Sequence, residues 1–89
     1  MLKFGDVIFR PCISYAGKTN FVNPQIVTDV FERNGETYVR SKDFIGQTWT
    51  DNILDLDNSF FLSKEKANDK LIQKMIEKAR EENERRMQK

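Results

Sequence analysis

The residue types that most often carry chemistry are scarce here. The chain has no histidine and one cysteine, Cys12. Without histidine, the commonest general base is missing, and with it the Ser-His-Asp and Cys-His arrangements and most catalytic zinc sites. Cys12 has no activating neighbour in the sequence, and an unactivated thiol is a weak nucleophile. Its expected place is as a small apolar residue on a strand. The expectation is a protein that is not an enzyme and uses no cofactor or metal.

Two stretches partly imitate ligand-binding loops. Gly17-Lys18-Thr19 matches the end of a phosphate-binding loop, but Cys12 stands where its first glycine is needed. Pro24 and β-branched residues then follow where a helix should begin. Asp55, Asp57 and Ser59 match the first three ligand positions of a calcium loop, but Phe60 takes the glycine position and Lys66 that of the bidentate glutamate. Both stretches read as solvated turns, with Asp51, Asp55 and Asp57 as turn formers and solubilising charges.

What remains is recognition. Trp49, Phe44, Phe60 and Phe61 could stack on bases, but a domain this small needs bulky apolar volume, so they are expected in the core. Phe31 and Tyr38 differ, because Asp29, Arg33, Glu36 and Arg40 surround them: they form either the seat of a helix or a small binding patch. Lys66, Lys70, Lys74 and Lys78 recur every four residues, a spacing of like charges that weakens a helix slightly. Their stems could cover the rim of a buried stripe while the ammonium groups stay in water. Alternatively they form a basic ridge for an acidic protein or for phosphates. The candidate partner-binding residues are therefore Phe31, Tyr38, Arg40, Lys42, Lys66, Lys70, Lys74 and Lys78.

The elements that would position these residues follow from periodicity. Residues 6–15 alternate, with Val7, Phe9, Ile13 and Tyr15 on one face and Asp6, Arg10, Cys12 and Ser14 on the other; Ile8 breaks the pattern. Residues 16–20 read as a turn and 25–33 as a second strand. Asn34-Gly35 between β-rich runs predicts a type I′ hairpin. That turn pairs Arg33 with Glu36, Phe31 with Tyr38, Val30 with Val39 and Asp29 with Arg40, and puts Ile26 and Thr28 on the face of Val30. A turn near Gly46, a strand over 48–54 and a short extended segment at 60–62 complete the sheet. Ser63 then N-caps a helix from Lys64 to at least Ala79. Its apolar stripe (Ala67, Leu71, Ile72, Met75, Ile76, Ala79) is expected to cover the sheet, and beyond it the chain is expected to project or fray.

The whole is an α+β fold: a small bent antiparallel sheet or SH3-like barrel of four to five strands over 1–63, with one C-terminal amphipathic helix over 64–89. At 89 residues one domain is expected, of modest stability. "GDVIF" (5–9) and "FFLSKEKA" (60–67) resemble the two ends of short uncharacterised SH3-like-barrel proteins of Gram-positive bacteria and phages. The resemblance covers the ends of the chain only; it implies a barrel followed by a helix, and no activity.

Net charge is +1, so no overall field gathers nucleic acid or anionic membrane. Residues 1–63 carry 6 basic and 8 acidic side chains, and residues 64–89 carry 9 and 6, so the charge is mildly uneven. A lone cysteine, no basic-then-apolar leader and no apolar run near ~20 residues lead to the expectation of a cytoplasmic protein that does not enter membranes, in host cytoplasm if phage-encoded. The function expected is a non-enzymatic protein-binding or regulatory module, such as a phage or mobile-element accessory protein acting on a host protein. The alternative is an RNA- or DNA-binding SH3-like module using Arg40, Lys42 and the basic helix ridge.

Overall fold

A computed structural model describes residues 1–13 and 20–87. The expectations for Tyr15, Ser14 and the Gly17-Lys18-Thr19 turn lie outside the described residues. Four antiparallel strands form one open sheet in the order β1 (Val7–Ile13), β2 (Asn20–Arg33), β3 (Glu36–Lys42) and β4 (Thr48–Asn52). One helix follows, α1 (Lys64–Met87). The architecture is the expected α+β arrangement of a small bent sheet and a C-terminal helix.

Strand β2 bends the sheet. Its 14 residues serve two neighbours in turn, β1 along 20–26 and β3 along 26–33. The hairpin register is the one that Asn34-Gly35 predicts, from Arg33 opposite Glu36 to Asp29 opposite Arg40. Asn34 and Gly35 have φ of 53° and 79°, the two positive values a type I′ turn needs. The face assignment beyond Asp29 is corrected. The register shifts between Val27 and Asp29, and one extra residue reverses which side chains point inward. Val27 is therefore buried against Ser41, while Ile26 opposes Lys42 on the outside.

Strand β1 keeps the expected alternation, and the face that enters the core is that of Ile8 and Arg10. Phe9, Pro11 and Ile13 alternate to the opposite face, where Pro11 is buried as well. Leu2, Ile8, Val27, Val39 and Phe60 make the core, with Val30, Ile53 and Leu56 packed against it. Strand β4 ends earlier than expected, in a 3-10 turn at Ile53–Asp55 where the Asn52 side chain accepts from the Leu54 N–H at 3.0 Å. The extended segment at 60–62 forms no full strand. Phe61 instead exchanges two backbone hydrogen bonds with Phe9 (2.7 and 2.9 Å), which tie the chain after β4 to the free edge of β1.

The helix begins where Ser63 accepts from the Lys66 N–H at 3.4 Å. It lies on β1 and β2 and turns a different face to them than the apolar stripe. Ala67 and Leu71 are buried and Lys70, Lys74 and Lys78 half-buried, whereas Ile72 (48% exposed), Met75 (42%), Ile76 (48%) and Ala79 face solvent. Two apolar residues and three lysine stems, rather than the six-residue stripe, thus form the seam with the sheet. From Glu81 to Arg86 the helix is exposed all round.

Candidate partner-binding surface

The inner end of the sheet holds a polar cluster that strand alternation did not identify. Arg10, only 8% exposed, makes a bidentate ion pair with Asp51, with Nη1 donating to Oδ1 at 3.2 Å and Nη2 to Oδ2. Its Nε donates to Gln25 Oε1 at 3.2 Å, and Ser41 Oγ donates to the same oxygen at 2.9 Å. The guanidinium lies 5.3 Å from the Trp49 ring and 5.9 Å from that of Phe60. Asp51, expected as a turn charge, is thus the counter-ion of a buried arginine. Asn23 donates to Asp43 Oδ2 at 3.2 Å, and Asp43 Oδ1 accepts from the N–H groups of Ile45 and Gln47, fixing the 43–47 loop. Every member makes at least one hydrogen bond within the cluster, although the buried Gln25 Nε2 has no partner of its own, and the fork-to-carboxylate geometry locks one strand arrangement. This is a structural plug.

Cys12 stands beside this cluster. Burial pushes its thiol up from the ordinary value, partly offset by the positive charges of Arg10 and Lys74. A raised thiol carries less thiolate at neutral pH, the reverse of what a nucleophile needs. Among the described residues, no group of three or more Cys, Asp or Glu side chains is placed to hold a metal ion. Among the described residues, no helix is long and apolar enough to cross a membrane.

The outer face differs. Alternation along β3 puts Tyr38, Arg40 and Lys42 on one side, opposite Phe31, Asp29 and Ile26 of β2, and Val7 of β1 continues the last row. Phe31 and Tyr38 stack with ring centres 5.7 Å apart. Arg40 and Arg33 lie 5.1 and 6.0 Å from the Phe31 ring, so two guanidinium groups flank the pair. The Tyr38 hydroxyl donates to Glu36 at 2.8 Å, and this bond to a carboxylate raises its pKa. The helix makes no extended contact with β3, so Tyr38 and Arg40 lie outside its seat.

Further along the same face is a groove of about 580 Å3 lined by Val7, Pro24, Ile26, Thr28, Lys42 and Phe44, among others. Phe44 is 85% exposed, and the neighbouring Ile45 is exposed as well. The expectation that the aromatics are core therefore holds for Phe60 and Phe61, which are buried, but not for Phe44, which the 43–47 loop holds outward. Sequence reasoning named Phe31, Tyr38, Arg40 and Lys42, and these share one face. It missed Val7, Ile26 and Phe44; exposure of Ile26 depends on the bulge, which no glycine marks.

The lysines do not join this face, nor do they form one line. A step of four residues turns an α-helix by 400°, so the row drifts about 40° per lysine. Lys66 is exposed, and Lys70, Lys74 and Lys78 wind under the helix toward the sheet, where Lys74 and Lys78 lie near Ile13 of β1.

No protein-family model, curated protein or solved structure matches this chain.

Proposed function

We propose that this protein is a non-enzymatic module that binds another protein through the outer face of its sheet. One observation carries the reading: apolar side chains that the fold leaves exposed (Val7, Ile26, Phe44) gather in one groove. That groove adjoins an aromatic pair with arginines above it. Apolar and aromatic anchors with a charged rim are the usual make-up of a protein-binding site. Lys42, Arg40 and Arg33 at the rim favour a partner segment with apolar anchors and flanking acidic residues. Against the nucleic-acid reading, Lys74 and Lys78 turn toward the sheet and leave no continuous basic line for a phosphate backbone.

The test is capture from a bacterial lysate by the immobilised full chain, with and without nuclease, at low and moderate salt. A protein retained through nuclease and moderate salt, and lost on Ile26→Asp/Phe44→Asp, supports the reading. Capture that nuclease abolishes, or that ignores the double substitution, contradicts it.

A further inference from the structure

A second surface, on the helix, stands apart from the sheet groove. The positions of α1 that meet the sheet (Ala67, Lys70, Leu71, Lys74, Lys78) fall within about 100° of one another at 100° per residue. The exposed Ile72, Met75, Ile76 and Ala79 centre roughly 130° away around the helix. The helix thus has two working faces, and the side chains of the more apolar one remain about half exposed.

The charges beside that apolar face are mostly ordered along the helix. Toward the N-terminal end it carries Glu65 and Asp69, and toward the C-terminal end Arg80 and Arg86, with Glu82 as the exception on the flank opposite Arg80; all five are exposed. Ile72 and Ala79 are equidistant from a midpoint between Met75 and Ile76, and Glu65 and Arg86 are equidistant from the same point. Asp69 and Arg80 centre within one residue of it. A second helix laid antiparallel about that midpoint sets Met75 against Ile76, Ile72 against Ala79, Glu65 against Arg86 and Asp69 against Arg80, each pair made twice. A parallel helix would instead set Glu65 on Glu65 and Arg86 on Arg86.

We infer that the occupant of this face is a second copy of the chain, forming a two-fold antiparallel helix pair. Such a contact is self-complementary, as a two-fold interface must be. Over residues 65–86 the seam runs about 32 Å, and it gives the exposed last turns a place against the first turns of the partner. Four apolar residues per chain make a small core, so the dimer dissociates on dilution.

The experiment uses the full chain in sedimentation over a range of concentrations. The wild type is expected to move from the monomer mass to twice that mass as concentration rises. Ile76→Asp is expected to stay monomeric with an unchanged far-ultraviolet spectrum, since Ile76 is not in the core. Register is read in a Cys12→Ser background, which removes the native thiol. Met75→Cys lies next to the two-fold axis and is expected to cross-link to its copy on oxidation. Arg86→Cys, about 32 Å from its copy in the antiparallel pair, is expected not to. A wild type that is monomeric throughout, a dimer indifferent to Ile76→Asp, or cross-linking of Arg86→Cys as readily as Met75→Cys would each overturn the inference.

Discussion

The inner end of the sheet and the outer surface of the molecule reverse the usual assignment of residue types. Inside are an arginine, an aspartate, a glutamine and a serine joined in one network. Outside are Ile26, Phe44, Ile72, Met75 and Ile76, none of them needed to close the core. The difference teaches where each set does its work. A buried polar group stabilises only when its partners are in place, so the Arg10 network favours one register and is unforgiving of loss. Exposed apolar side chains contribute little to folding and become useful when a partner removes them from water.

Breaking the inner network gives the largest expected effect. Asp51→Ala leaves a buried guanidinium without its counter-ion and is expected to cost about 3 kcal/mol, a large part of the stability of a domain this size. Replacing both partners, Arg10→Met/Asp51→Leu, is expected to recover much of that loss. Denaturant unfolding of the three variants checks this; equal losses in the single and double variants would mean the pair is not coupled.

A smaller effect sharpens the comparison at adjacent positions. Val27→Ala removes core volume and is expected to cost about 2 kcal/mol, whereas Ile26→Ala, one residue away on the outside, should cost less than about 0.5 kcal/mol. The reverse order in thermal melts would remove the bulge and restore the simple alternation.

The smallest effect concerns the thiol at the border of the inner cluster. Burial raises the pKa of Cys12 above its ordinary value, so the folded state holds this proton more tightly than the unfolded chain does. Its contribution to stability is complete below the unfolded value and is lost as pH rises through the folded one. Alkylation by iodoacetamide near pH 9 should therefore be slower in the native protein than in denaturant. Equal rates would show an unshifted, open thiol.

These differences also mark what the sequence made legible. The hairpin was readable because Asn34-Gly35 determines turn type and register from adjacent residues. The helix start was readable because Ser63 caps it locally. The faces were not readable where one non-local event decides them. The shift near Thr28 reversed Ile26 and Val27, and the seat of α1 on β1 and β2 chose Ala67, Leu71 and lysine stems over the more apolar stripe. The Arg10–Asp51 pair joins residues 41 positions apart, and neither residue carries a local mark of burial. Four site residues on β2 and β3 were found because the hairpin register places them, and the rest of the groove was missed because it depends on the bulge and on the 43–47 loop.

The central claim is that the exposed apolar faces serve partners and not the fold. Thermal unfolding of Ile26→Thr/Ile76→Gln in dilute solution tests it most directly, because the replacements suit a strand and a helix in turn. The account predicts cooperative unfolding with a midpoint within about 4 °C of the wild type. A fall beyond about 8 °C, or loss of a cooperative transition, would place these side chains in the fold itself and contradict the claim.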